Sequence, residues 1–306
     1  MYSNQYIDQV KLLLECLPAL KEQDTFALKG GTAINFFIRN LPRLSVDIDL
    51  TYVKRSPRTQ AIKEIESGLD MLSAAILNRN KHNRIKQLKT KEGIVHKIVV
   101  SNKKAQIKIE PNFNLRGMLY PIEEINIVKT IEDQFEFSVR NIPVLSQAEL
   151  YAGKICAALS RQHPRDFFDI YILLKNEGIT ERIRQAFVVY LCCSPRPMHE
   201  LLDPNKIDLK SIYEGEFVNM TEKTVPLALL LEARDELIQT IQKDLSSDEK
   251  AFLISVKKGS PDFSLLPFDD LSEFPALKWK LININKMDKS KHKIMLDKLS
   301  RVLNKT

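Results

Sequence analysis

Two aspartates one residue apart, Asp47 and Asp49, stand among aliphatic residues in the run Val46-Asp47-Ile48-Asp49-Leu50. In a strand, period two puts Val46, Ile48 and Leu50 on one face and both carboxylates on the other. Neighbouring carboxylates repel, so the pair calls for a cation or for water. Upstream lies Gly30-Gly31-Thr32, after a short apolar strand (Phe26, Ala27, Leu28). A helix of about two turns follows, with Ile34, Phe37 and Ile38 as its apolar residues. A glycine pair at a helix N-terminus brings backbone N–H groups close to a phosphate. Arg43 and Ser45 lie in the loop that leads to the aspartate strand. Carboxylates that hold Mg²⁺ beside a phosphate-binding turn point to phosphoryl or nucleotidyl transfer.

A second set of charged residues lies in 150–173, LYAGKICAALSRQHPRDFFDIYIL. Lys154 and Arg161 are seven apart on one helix and share a face. Asp166 and Asp169 are three apart on the next helix, with Arg165 beside them. Charges that converge across a helix–Pro164–helix corner are costly to bury unless paired, so a structural ion-pair network is one reading of this stretch.

The elements that must position these residues follow from hydrophobic period. A stripe of Ile7, Val10, Leu13, Leu14 and Leu17 predicts a helix over 5–20, closed by Pro18. Ile62, Ile65, Leu69, Leu72 and Ile76 predict a long helix over 58–79, with Gly68 inside it. Alternation then predicts three strands over 84–90, 94–101 and 105–110. Turns at Lys91-Glu92-Gly93 and Asn102-Lys103-Lys104 join them. Two further strands are expected near 125–128 and 135–139, before Pro143 and Ser146 end the β-rich half. From there the period is helical, so a domain boundary is placed near 145: 1–145 as the catalytic domain and 146–306 as a helical domain that completes the nucleotide site and binds the acceptor. Ser146 with Glu149 and Ser246 with Glu249 have capping-box spacing. Helices are expected from 146 to Pro164, from there to Gly178, over 181–193 and 227–244, from 246 through 256, and near 275–286 and 290–303. Residues 194–204 read as irregular around a short helical turn, and 259–275 as a loop that packs its phenylalanines.

The 306 residues suffice for two domains, and a hydrophobic fraction of 44% with 28% charged residues is that of a soluble globular protein. No apolar run approaches the roughly 20 residues of a membrane span, and no secretory signal is legible in MYSNQYIDQV, so no membrane partner and a cytosolic location are expected. The cysteines (Cys16, Cys156, Cys192, Cys193) lack metal spacing and read as buried free thiols, and the five histidines form no cluster with them. Net charge is +7, concentrated in the basic stretches 79–91 and 286–305. Each is a solvated face or, beside a nucleotidyl-transfer site, an RNA-binding surface.

The stretch LKGGTAINFF followed by LPRLSVDIDL resembles the core motif of polymerase-β-like nucleotidyltransferases, and more particularly the AbiEii/AbiGii toxin family of type IV toxin–antitoxin and phage-defence systems. The second charged set has the same resemblance. The family's Lys-x-x-Ala, Arg and Arg-Asp-x-x-Asp stand here as Lys154 to Ala157, Arg161, and Arg165-Asp166-Phe167-Phe168-Asp169. AFVVYLCCSPRPMHELLDP and FPALKWKLININK extend it over most of the chain. Two departures stand out. Thr32 replaces the serine of many relatives and keeps the hydroxyl. Asn112 follows Lys108 where the family has Thr or Arg.

The resemblance implies an α+β fold: a polymerase-β-like mixed sheet with flanking helices, followed by an all-α domain. It implies a Mg²⁺-dependent nucleotidyltransferase with an NTP substrate. Asp47, Asp49 and, as third carboxylate, Glu110 would hold two Mg²⁺ ions. Gly30, Gly31, Thr32 and Ser45 would cradle the triphosphate. Lys154 would contact it, Arg161 and Arg165 would hold phosphate oxygens or orient the aspartates, and Asp166 would belong to the site, with Asp169 more structural. The acceptor would be the 3′ end of tRNA or another RNA; a protein hydroxyl, taking a nucleotide or a phosphate, is the alternative, and a nucleotide- or RNA-binding module without chemistry is another. A cognate antitoxin encoded nearby is implied, and a monomer is expected.

Overall fold

The computed structural model describes residues 2–305. The chain forms two compact units, one of Met1–Leu150 with Val218–Thr224, the other of Tyr151–Phe217 with Val225–Thr306.

The first unit opens with α1 (Asn4–Cys16), which Ser3 caps by accepting from the Tyr6 N–H. Pro18 does not stop the chain from turning. It sits near the start of a tighter 3-10 turn over Leu17–Glu22, where the missing N–H costs nothing. Then come β1 (Phe26–Lys29), α2 (Gly30–Ala33) with a π-helical turn at Ile34–Ile38, β2 (Asp47–Tyr52), α3 (Arg58–Arg79), β3 (Arg84–Lys89), β4 (Val95–Ser101), β5 (Gln106–Asn112), β6 (Glu123–Ile125), α4 (Lys129–Phe135) and β7 (Ile142–Val144). The strands form one mixed sheet in the order β3-β4-β5-β2-β1-β7-β6. The β2–β5 and β1–β7 pairs are parallel and the others antiparallel.

Register aligns Ile48 with Ile109 and Ile98, and Ile107 with Val100. These side chains, at most 1% exposed, form the apolar face of the sheet. α1 lies against β5 and α3 against β4 on that face. Gln87 of β3 bonds Asp70 of α3 there, at 2.6 Å. The opposite face is left to the polar residues of the same strands.

One expected strand is absent. Residues 129–135 form α4, which ends where Glu136 turns left-handed at φ 53°. Val139 accepts one backbone hydrogen bond from Ile127, at 2.9 Å, without a ladder. The last strand is instead β7, short enough to contain Pro143.

The second unit is helical: α5 (Gln147–Arg161, whose first residues belong to the first unit), α6 (Pro164–Lys175), α7 (Glu181–Cys193), α8 (Met198–Leu202), α9 (Lys210–Glu216), α10 (Leu227–Asp244), α11 (Ser247–Lys258), α12 (Pro275–Asn285) and α13 (Lys289–Leu303). Capping signals set several of these ends. Pro164 opens α6, Thr180 caps α7, and Ser246 with Glu249 forms a complete capping box on α11. α9 has no buried residue and no apolar stripe to announce it. The four cysteines are free, and burial pushes the Cys16 and Cys192 thiols up to about 12. Among the described residues no helix is long and apolar enough to cross a membrane.

Gly68 explains itself in packing. A Cβ there would lie 2.8 Å from Cε2 of Phe26, itself 1% exposed. Gly68→Ala is therefore expected to lower stability by about 1–3 kcal/mol, although alanine alone favours a helix by about 1 kcal/mol. Urea unfolding checks the sign.

Candidate functional site

The register of β1 on β2 sets Lys29 opposite Asp49, so the chain leaves the sheet at Gly30 beside that carboxylate. Gly30 has φ +76°, and a Cβ there would run into Oδ2 of Asp49. Gly31 is held as closely from the other side: its Cβ would lie 2.8 Å from Nη2 of Arg43 and 3.0 Å from Oγ of Ser45. Arg43 is 2% exposed, and its Nη1 donates to the Leu44 carbonyl at 2.8 Å. Both glycines are thus places where backbone meets functional side chains with no room for a side chain of its own.

Thr32 ties this turn to β2. Its hydroxyl donates to the Asp47 carbonyl at 2.6 Å and lies 3.0 Å from the Ser45 hydroxyl. Thr32 and Ser45 are buried. The Thr32 hydroxyl therefore serves the backbone that carries Asp47, and the backbone N–H is what Thr32 can present outward. Asp47 and Asp49 are half-buried on the polar face. The parallel register of β5 puts Lys108 opposite Asp47 and Glu110 opposite Asp49. Glu110 Oε1 accepts from Nζ of Lys97 at 2.6 Å. The cross-strand pairs of Lys86 with Val99 and of Val99 with Lys108 put exposed Lys86 on the Asp47 face too. No group of three or more His, Cys, Asp or Glu residues that could hold a metal ion occurs among the described residues.

The second charged set folds into a buried network in the second unit. Lys154, 6% exposed, places its ammonium 2.9 Å from Oδ1 of Asp166 and 2.9 Å from Oδ2 of Asp169. Arg161 clamps Asp166 with both ends of its fork, Nε to Oδ2 at 2.6 Å and Nη2 to Oδ1 at 2.9 Å. The Asp166 and Asp169 side chains are at most 1% exposed, whereas 59% of the Arg161 side chain is open. Burial drives the Asp166 carboxyl up, but Lys154 and Arg161 outweigh it and hold the group well below the usual carboxylate range. Arg165 and His163 face Glu216 of α9, at 3.6 and 3.1 Å. Burial lowers the His163 pKa, against the opposing pull of Glu216.

Two partners escaped the sequence, Lys97 and Glu216, and so did the burial of Arg43. Lys97 becomes visible only when β4 is set against β5. Glu216 sits on a helix without a stripe. The close Gly31 contact with Arg43 has no counterpart in spacing.

Removing one member of the network leaves buried charge without its partner. Lys154→Met is expected to cost about 3–5 kcal/mol of stability by chemical unfolding. The sign in pH follows from Asp166. A depressed folded pKa gives stability that is complete above the unfolded value of about 3.9 and is lost as pH falls through the folded value. Melting below about pH 4 should fall more steeply in the parent than in Asp166→Asn.

A likeness to known proteins covers the whole of this architecture. In solved structures the fold resembles MenT4, a nucleotidyltransferase toxin from Mycobacterium tuberculosis H37Rv, with a TM-score of 0.60 at 15% identity over 98% of this chain and 95% of that one. No curated protein sequence matches the chain. The family model described as nucleotidyl transferase AbiEii toxin, type IV toxin–antitoxin system, matches residues 11–283. With the glycine turn set against an aspartate pair on the sheet, that match over most of its length makes this chain a member of the AbiEii family of nucleotidyltransferase toxins.

Proposed function

We propose that this toxin transfers a nucleotide from an NTP to the 3′ end of an RNA, with tRNA as the acceptor class, in a Mg²⁺-dependent reaction. The observation that carries the reading is the seat of Gly30 and Gly31 against Asp49, Arg43 and Ser45. It sets backbone N–H groups suited to a triphosphate beside carboxylates suited to its metal.

The donor set fits Mg²⁺. This ion keeps several waters and is held through one or two carboxylates together with substrate phosphates, rather than by an all-protein cage. Asp47 and Asp49, side by side on the polar face of β2, supply two hard oxygen donors. Glu110 is the third carboxylate of the proposal, available once Lys97 releases it. Bound there, Mg²⁺ would neutralise phosphate charge and lower the pKa of the acceptor hydroxyl, and two ions would serve both ends of the displacement.

The rest belongs to the chain. Backbone N–H groups at Gly30, Gly31 and Thr32 hold the phosphates, while the Ser45 hydroxyl fixes the turn from below. The acceptor hydroxyl gives its proton to water, its oxygen bonds the α-phosphorus, and the bond from that phosphorus to the oxygen bridging to the β-phosphate breaks with release of pyrophosphate. No covalent enzyme intermediate is needed. In the second unit, Arg161 is the exposed cation suited to phosphate oxygens. Arg165 is proposed for the same task. Lys154 and Asp166 act through Arg161: Asp166 orients its guanidinium, and Lys154 keeps Asp166 charged. Asp169 completes the pair around Lys154. An RNA acceptor suits the cations on the polar face of the sheet, Lys86 and Lys108 among them.

The test uses each α-labelled NTP in turn with Mg²⁺ and either total tRNA or a protein lysate. Label is expected in tRNA from one preferred nucleotide, abolished by EDTA and restored by Mg²⁺. Asp47→Asn and Asp49→Asn should each reduce transfer by about a hundredfold or more while melting as the parent does. Label in protein alone would move the acceptor to a protein hydroxyl, and full activity in both variants would remove the metal assignment. Gly30→Ala should lose transfer as well, because its Cβ displaces Asp49, with little change in tRNA binding measured without NTP.

A further inference from the structure

The chain's net charge is not spread over its surface. Residues 275–305 hold nine of the 46 Lys and Arg and only two of the 39 Asp and Glu, so 37 of each remain elsewhere and cancel. A second basic run, 79–91, has six Lys and Arg and no Asp or Glu, while residues 275–305, which hold α12 and α13, carry a net +7. Some of these cations are already engaged: Lys278 pairs with Glu273 at 2.5 Å, Lys305 pairs with Asp203, and Lys280 donates to the Ser194 carbonyl at 2.6 Å. Among the described residues, Lys286, Lys289, Lys291, Lys293, Lys298 and Arg301 form no ion pair, and all six are exposed.

The same two helices carry exposed rings and aliphatics. Trp279, the one tryptophan of the chain, is 55% exposed on α12, and Ile282, one turn on, is 44% exposed. Lys286 continues that stripe at i+7. On α13, Ile294 is 54% exposed between Lys291 at i−3 and Lys298 at i+4, with Arg301 a further turn along. The core-facing sides of the helices are occupied: Ala276, Leu277, Ile284, Leu299 and Leu303 are buried, and α11 packs against both helices. An indole in water is an unfavourable use of large apolar area unless something covers it. A membrane surface would need a continuous apolar face, whereas here single apolar residues alternate with cations. That alternation is the arrangement that holds a single strand, with bases stacked on a ring and phosphates on lysines and arginines.

We propose that α12 and α13 form the docking surface for an unpaired segment of RNA, with Trp279 as the stacking platform and Lys286, Lys291, Lys298 and Arg301 as the phosphate track. The inference deepens the reading of RNA as acceptor and rests on it for the choice of nucleic acid. It concerns binding alone and uses no residue of the transfer site.

The lone indole makes the test direct. A mixed-sequence single-stranded RNA oligonucleotide is titrated into the full chain without NTP, and Trp279 emission is read together with the anisotropy of the labelled RNA. Quenching is expected on binding. Trp279→Ala should weaken binding by about tenfold, and Trp279→Phe should restore most of it. Replacing Lys291, Lys298 and Arg301 together with Gln should flatten the slope of log affinity against log salt by about 2. All these positions are exposed, so unchanged melting is expected of each variant. RNA binding with unmoved emission and parent-like affinity in Trp279→Ala overturns the proposal. So does emission that responds to the purified antitoxin and not to RNA, which makes this face a protein interface. The two readings fail separately. Transfer that needs Asp47 but is indifferent to Trp279 sinks this surface and spares the reaction. RNA held through Trp279 but never labelled does the reverse.

Discussion

The first unit is built around one close approach: the backbone at Gly30 lies against the carboxylate of Asp49, in a space where no Cβ fits. The turn thereby brings backbone N–H groups beside the carboxylates of β2. Side chains on the turn would keep them apart. The hydrogen bond from Thr32 to the Asp47 carbonyl closes the same contact from inside, and Arg43 and Ser45 close it around Gly31. The antiparallel pairing of β1 with β2 is held in register by packing, because a slip of one residue would turn the aspartates into the apolar face.

In the second unit the governing constraint is desolvation. Lys154, Asp166 and Asp169 are almost wholly buried, and the charges are tolerable only because the Lys154 ammonium lies 2.9 Å from each carboxylate. The network fixes the corner between α5 and α6 and orients one exposed group, the Arg161 guanidinium. Lys154 is enclosed by the two carboxylates, one of which also holds the arginine, and does not reach into solvent.

Charge is partitioned as sharply as polarity. A chain with a net +7 on two helices and a second basic run at 79–91 concentrates its long-range attraction for a polyanion on those two stretches. The polar face of the sheet adds local cations, Lys86 and Lys108 among them, while Lys97 is paired with Glu110. Family membership says what class of reaction this protein performs; the uneven charge bears on what it holds while performing it.

The sequence by itself determined the elements with a strong period or a strong terminus: α3, α7 and α10, the three strands from Arg84 to Asn112, the capping box on α11, and the alternation that puts Asp47 and Asp49 on one face. Those signals are local, repeating over a few residues, so they survive in the linear order. The family resemblance was legible too, because its motifs are short and set in types and spacing. Residues 135–139 misled because a few apolar side chains cannot distinguish a strand from the end of a short helix without knowing what lies beside them. Only the tertiary structure decided that Gly30 touches Asp49, that Lys97 answers Glu110, that Lys154 is enclosed by two aspartates, and that Trp279 is open to water. Each of these depends on which residues distant in sequence share a space, and burial and pairing are properties of that space rather than of residue type.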